Sequence, residues 1–337
     1  MKQRDKSIDF MRSLLVVFMI MAHVVQFFYL GKFADLFSDY VDLTTFSGFM
    51  FAFGFVSYKA YISRNSTELF KRLSHRFLLT LFAFYISGIA YTLLVANDFT
   101  FKSIIKILLL QKIPAYSEFL VSFAFLYPLI FLYTKFIHKT GKRINDSYYI
   151  ILVIASLLLT RIDYSAITIP ILGVLIGTDS FACFPIIQYL SLFIAGQYLA
   201  SRDKVFDKYI LSGSFLGFVV FLAYIIIYDT LPQRFPPSTL WITGGYLFVY
   251  LYYIASKKLQ KLYRKCDVFL MIGSNSLVFL VISNLVIFFL RKYAYNIYSA
   301  VPYMGKHLFC LAVFGLCILI PFLWVTVWGN IKTKIQR

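Results

Sequence analysis

Arg12 and His23 stand in one apolar run, Phe10 to Leu30, with ten residues between them. A helix turns about 100° and rises about 1.5 Å per residue, so eleven steps return His23 to within about 20° of Arg12, roughly 16 Å further along one stripe. A guanidinium is a permanent cation whose fork grips phosphate bidentately. An imidazole titrates near neutrality and is the commonest proton acceptor in catalysis. Ionisable groups cost several kcal/mol in a bilayer interior and mark functional positions. Such a stripe suits a long ligand, phosphorylated at one end and reactive at the other. The plainer reading of His23 is a side chain hydrogen-bonded between packed helices.

A second basic group, Lys71, Arg72, His75 and Arg76, opens a later apolar run. Arg72 and Arg76 are four apart and share a helix face. They read either as interfacial anchors or as a phosphate clamp level with Arg12. Asp9 stands three before Arg12 and is placed to pair with it. Glu118 begins another run, and Asp163 lies in a polar connection. Both are candidates for contact with a hydroxyl-bearing acceptor, and both are equally explained as solvated acids.

These residues need helices to hold them, and the composition says in what solvent. The 337 residues are 60% hydrophobic and 14% charged, with mean hydropathy +0.77. Soluble domains carry about 25% charged residues, so the chain reads as an all-α, polytopic membrane protein with one membrane-embedded domain over 1–337. Apolar runs near the ~20 residues needed to span occur at 10–30, 43–62, 77–96, 119–137, 185–200, 209–228, 239–255, 268–290 and 307–328, with a shorter one at 147–161. The first run is too long for a signal-peptide core. Residues 99–113 read as an amphipathic segment on the outer face.

The segment 164–180 is apolar but short. Cytoplasmic loops collect Lys and Arg. If 164–180 does not cross, ten helices result with both termini cytoplasmic, and 24 of the 33 Lys and Arg fall inside. If it crosses, the basic stretches at 201–208 and 256–267 and the tail move outside. Ten helices is the better topology, with 164–180 re-entrant or interfacial. The net charge of +18 is then topological, and nucleic acid is not an expected partner.

The four cysteines are scattered and imply neither disulfides nor a metal site. No P-loop, HExxH, GxSxG or GxGxxG occurs, which leaves ATP hydrolysis, zinc proteolysis and soluble-type serine hydrolysis unsupported.

The Arg12-x10-His23 run, preceded by Ser7-Ile-Asp-Phe-Met, resembles the opening of the acyltransferase-3 family of integral membrane acyltransferases. The basic start at Lys71–Arg76 is similar to that family's second motif, and Phe49-Met-Phe-Ala-Phe-Gly-Phe55 is similar to its second-helix aromatic run. Its arginines at the third helix are often three apart, where Arg72 and Arg76 are four apart. A serine common before the second-helix glycine is Phe53 here. A fourth-helix glutamate of some members has no residue at the matching position, Glu118 lying two away.

The resemblance implies a multi-pass protein of the bacterial plasma membrane that moves an acetyl group from cytoplasmic acetyl-CoA to a hydroxyl of a cell-surface glycan. A capsular polysaccharide or its lipid-linked precursor is the expected acceptor. Arg12, Arg72, Arg76 and Lys71 would meet the CoA phosphates. His23 would act as base or as covalent acyl carrier, with Arg12 beside it in the catalytic stripe. Glu118 and Asp163 would face the acceptor. No metal is expected. The rival reading is a transporter or flippase of lipid-linked saccharides, which would favour internal inverted repeats.

Overall fold

The computed structural model describes residues 5–28, 31–63, 68–140, 146–259 and 267–335. Lys2, Arg4, Arg64, Lys142, Arg143, Lys261, Arg264, Lys265, Cys266 and Arg337, which entered the charge and cysteine readings, lie outside them.

Fourteen helices follow one another among the described residues, and no strand is present there. They are α1 (Lys6–Phe27), α2 (Lys32–Ser57), α3 (Leu69–Leu94), α4 (Phe101–Leu108), α5 (Glu118–Thr140), α6 (Asp146–Leu158) and α7 (Pro170–Ile176). The rest are α8 (Leu190–Arg202), α9 (Lys208–Tyr228), α10 (Thr239–Lys258), α11 (Asp267–Ser274), α12 (Ser276–Tyr293), α13 (Tyr295–Ala300) and α14 (Tyr303–Ile335).

Six of these, α1, α3, α5, α9, α12 and α14, are long and apolar enough to cross a membrane. The most apolar are among the least covered: α9 and α14 have span hydropathies of 2.5 and 2.7, with only 11% and 22% of the span buried. A water-soluble fold would bury such surfaces. Their outward-facing Ile, Leu, Phe and Trp side chains mark the chain as a membrane protein.

The other four expected crossings are helices with different characters. Helix α2 has 26 residues and is polar at its start, with Asp35, Asp39 and Asp42. Its inner part is buried, walled by α1, α8 and α10. Because other helices surround it, it has no need of a lipid-facing apolar surface. Helix α10 is likewise interior and carries Thr, Gly and Tyr. Helices α6 and α8 have 13 residues each, about 20 Å, and α8 starts at Leu190 where the apolar run starts at 185.

Contact between α2 and α8 is backbone-close. A methyl group on Gly54 would stand 1.9 Å from the Phe193 carbonyl oxygen, and one on Gly196 would stand 2.1 Å from that of Phe51. Only small residues permit such approach.

The run 268–290 breaks at Asn275, between α11 and α12. Ser13 of α1 serves that break, its Oγ accepting from Gly273 N at 2.9 Å and lying 2.6 Å from the Phe269 carbonyl. The 164–180 segment contains only the seven-residue α7, which Gly177 ends at φ +116°; about 10 Å of helix does not span a bilayer. Helix α4 buries Ile107 and leaves Phe101, Lys102 and Lys106 exposed, the amphipathic pattern expected for 99–113.

Four ion pairs gather the basic connections at one end of the bundle. Lys257 holds Asp5, the N-cap of α1; Lys6 faces Asp267; Lys59 faces Asp203; Arg202 faces Asp146. Elsewhere Arg234, ahead of α10, pairs with Asp42 of α2, and Lys112 pairs with Asp98 across α4.

Candidate active site

Helix α1 starts at Lys6 and ends at Phe27, so His23 stands one turn from its C-terminal end. That is nearer one end of the helix than its place in the middle of the Phe10–Leu30 run. Arg291 of α12 donates to the Phe27 carbonyl at 3.3 Å and satisfies one of the helix's terminal acceptors.

His23 lines a cavity of about 260 Å³. Its α1 wall runs from Met19 to Gln26; α2 contributes Val41, Asp42, Thr45, Phe46 and Phe49; α5 and the turn before it contribute Tyr116, Glu118 and Phe119. Phe184, Arg234 and Phe235 close the remaining side. Phe46 and Phe184 are stacked with centroids 4.6 Å apart, and the Arg234 guanidinium lies 4.6 Å over Phe235. Asp42 accepts a charge-assisted hydrogen bond from Arg234.

Two polar atoms of the cavity wall are buried with no hydrogen-bond partner in the structure: Glu118 Oε2 and Thr45 Oγ1. Thr45 is 4% exposed. Buried polar atoms are almost always paired, so these two are exceptions among the residues that line the cavity.

His23 is held from behind. Its Nδ1 is 2.9 Å from Asn284 Oδ1 of α12. The Asn284 amide nitrogen donates to Ser87 Oγ at 3.1 Å and to the Tyr116 carbonyl at 3.0 Å. The Tyr116 ring meets His23 edge-on, with centroids 5.0 Å apart and planes at 88°.

The arginines occupy the other level. Arg12 donates to Ser276 Oγ at the start of α12, and its Nη1 lies 4.0 Å from Asp9. The expected Asp9–Arg12 pairing is therefore present. Arg72 pairs with Glu68 at 2.9 Å, and Lys71, Arg72 and Arg76 are exposed. Arg12 and Arg76 both act electrostatically on Tyr127, and Arg72 and Arg76 both act on Tyr61. Arg76 thus shares one tyrosine with Arg12 and another with Arg72, although Arg12 and Arg72 lie 60 residues apart in the chain.

Between the levels lie two aromatic stripes. Phe46, Phe49 and Phe53 of α2 and Phe119, Phe123 and Tyr127 of α5 interlock, with Phe123 5.2 Å from both Phe46 and Phe53, and Phe53 5.2 Å from Tyr127. The cavity ends at Met19 and does not reach Arg12. This plug occupies the interval.

Among the expected site residues, the structure brings His23 and Glu118 to one cavity, and Arg76 shares an electrostatic neighbour with each of Arg12 and Arg72. Lys71 is on the same first turn of α3 but is not shown meeting the others. Asp163 stands apart. It is exposed, accepts from Ser165 N at 3.0 Å, and is absent from the cavity wall. Ser165 holds its carboxyl below the usual carboxylate range.

Asn284, Tyr116, Thr45, Asp42 and Arg234 were not singled out in the sequence. Asn284 had a signal, as a lone amide inside an apolar run. Asp42 had one too, immediately before the run that starts at 43. Among the described residues no group of three His, Cys, Asp or Glu is placed to hold a metal ion. No family model, curated protein or solved structure matches the chain.

Proposed function

We propose that this chain is a membrane O-acetyltransferase of the acyltransferase-3 type. It takes an acetyl group from cytoplasmic acetyl-CoA and esterifies a hydroxyl of a cell-surface glycan, a capsular polysaccharide or its lipid-linked precursor, at the bacterial plasma membrane. The observation that carries the reading is the cavity that His23 lines together with Thr45 and Glu118, two residues that each hold a buried oxygen without a hydrogen-bond partner.

The topology assigned with it is ten crossings with both termini cytoplasmic. Asp5–Lys257, Lys6–Asp267, Lys59–Asp203 and Arg202–Asp146 support it. If 164–180 crossed, each of those four pairs would have to join opposite sides of the bilayer.

The arginine end fits CoA phosphates in charge: Arg12, Arg72 and Arg76 would hold them, with Lys71 adjacent. CoA supplies an activated thioester. The chain's own residues do the rest. His23 accepts the proton of the acceptor hydroxyl; that oxygen forms the new ester bond to the acyl carbon as the carbon–sulfur bond breaks and the thiol departs. A covalent route, in which His23 itself carries the acyl group between the two halves of the transfer, uses the same nitrogen. Glu118 and Thr45 hold the acceptor, a polar molecule whose hydroxyls complete their hydrogen bonds. Aromatic faces such as Phe46 and Phe184 pack its apolar side. The plug of Phe53, Phe123 and Tyr127 must part for a thioester arm to pass from the arginines to His23.

The test is glycan acetylation, read by NMR, in cells expressing wild type, His23→Ala or Arg12→Ala at equal levels. Loss of acetylation with export intact is expected for both variants. Full acetylation in His23→Ala would sink the catalytic assignment, and loss of export with acetylation intact would favour a transporter. Labelled acetyl trapped on the purified protein would choose the covalent route.

A further inference from the structure

We infer that Asn284 is the positioning residue of His23, holding the imidazole in the form with its proton on Nδ1 and its lone pair on Nε2. The meaning for catalysis rests on the reading of His23 as the base; the hydrogen-bond assignment stands without it.

The argument starts from the Tyr116 carbonyl. One end of the Asn284 amide lies 3.0 Å from that oxygen. A carbonyl oxygen only accepts, so that end must be the NH₂ group. The same end is 3.1 Å from Ser87 Oγ, which takes its second hydrogen. The amide orientation is therefore set by chemistry, with Oδ1 turned toward His23 at 2.9 Å. Oδ1 also only accepts, so His23 Nδ1 must donate. A neutral imidazole carries one N–H. Its proton is spent on Asn284, and Nε2 is the basic atom the ring offers a ligand in the cavity it lines. An unconstrained histidine in water favours the opposite form.

The anchor is itself unusual. Tyr116 has φ +61°, in the left-handed region that bulky side chains seldom adopt and that is found at functional sites. This conformation occurs in the turn before α5, where Ser117 Oγ bonds the Pro114 carbonyl at 2.7 Å. From there Tyr116 gives its carbonyl to Asn284 and its ring edge to His23. Residues of α1, α3, α12 and this turn thus serve one ring. An amide kept only to glue helices would not require its oxygen to meet the imidazole.

The test is solid-state NMR on the full chain in bilayers, with histidine labelled with ¹⁵N, at a pH where the rings are neutral. His23→Gln assigns the resonance among the four histidines. Wild type should show a protonated Nδ1 and a bare Nε2 at His23. Ser87→Ala, which leaves the Tyr116 anchor, should keep that form. Asn284→Leu should shift the ring toward the Nε2–H form and lower kcat on the order of 100-fold, with the donor KM unchanged. A wild-type ring protonated on Nε2, or an Asn284→Leu ring unchanged from wild type, would overturn the inference. The wild-type spectrum tests it even if Asn284→Leu fails to fold. A form that follows Asn284 while His23→Gln stays fully active would leave the assignment intact and sink His23 as the base.

Discussion

The two ends of α1 are built on opposite principles. Around His23 the surroundings are protein: a carboxamide behind the ring, an aromatic edge beside it, and a cavity in front. Around Arg12 the other cations stand on an exposed helix face, where Arg72 engages Glu68. Enclosure suits a step whose proton transfer depends on geometry and on excluding water. Exposure suits capture of a large, charged, water-soluble molecule by electrostatic attraction. On the proposed function, one helix joins a recognition end to a chemistry end, with aromatic residues of α2 and α5 between them.

That division makes its strongest prediction at His23. A general base contributes on the order of 10² to 10⁴ in rate, so His23→Gln should lower kcat by at least about 100-fold while leaving donor KM within a factor of two or three. Arg12→Ala should do the reverse, raising donor KM about tenfold, since a charge-assisted hydrogen bond is worth about 1.5–3 kcal/mol. Steady-state kinetics with purified protein and labelled acetyl-CoA would read both. If Arg12→Ala lowered kcat and left KM alone, the two ends would not be separate functions.

The acceptor wall comes next in size. Thr45→Val removes a hydroxyl that has no partner in the structure and keeps the shape. Glu118→Gln keeps the hydrogen-bonding shape and removes the charge. Each should raise acceptor KM about three- to tenfold, the loss of one hydrogen bond of about 1 kcal/mol or somewhat more, and leave donor KM unchanged. Effects on the donor instead would place the cavity on the wrong side of the reaction.

Much of this layout was legible in the chain, and what was missed shares a cause. A stripe such as Arg12–His23 is a local property of one helix, and a short basic turn such as Lys71–Arg76 is local too. Glu118 announces itself by standing where an apolar run begins. Asn284 meets His23 at a separation of 261 positions, and Arg234 meets Asp42 at 192; helix packing alone makes those pairs. Asp163 shows the converse. A lone acid in a polar loop carries no spatial information, and the structure leaves it on its own turn. Crossing counts suffered from a related limit. Interior helices such as α2 read as less apolar because protein, not lipid, surrounds them. The break at Asn275 is invisible without Ser13 of α1.

The plug itself offers an intermediate test. Phe53→Ala removes one ring from that plug. Where passage of the thioester arm limits turnover, kcat should rise or hold, and hydrolysis of acetyl-CoA without acceptor should increase severalfold as water reaches the site. Equal hydrolysis in wild type and variant would show that Phe53 does not separate the compartments. Gly54→Val tests the support of the same wall. Its side chain would strike the Phe193 backbone, and overpacking of this kind costs about 1–3 kcal/mol or more. Thermal unfolding in detergent should fall, and the loss of acetylation should exceed any change in CoA affinity.

The smallest effect belongs to the basic end and concerns pH. Asp207 caps α9, accepting from Tyr209 N at 3.0 Å and Ile210 N at 3.4 Å, with Lys204 3.0 Å away. Burial pushes its carboxyl up, but Lys204 and the two backbone N–H groups outweigh burial and hold it below the usual carboxylate range. A group depressed in the folded state stabilises above its ordinary pKa of about 4, and that contribution disappears as pH falls through the lowered value. Lowering pH from 7 to 5 should therefore leave the first turn of α9 unchanged. Below about pH 4, amide exchange there should accelerate. Asp207→Ala should cost about 1 kcal/mol at neutral pH and abolish that acid step. Amides of Asn284 and Tyr116, whose hydrogen bonds involve no carboxylate, should not share it. Acid exchange that appeared first around His23 would mean that the enclosed end, and not the exposed one, is held together by charge.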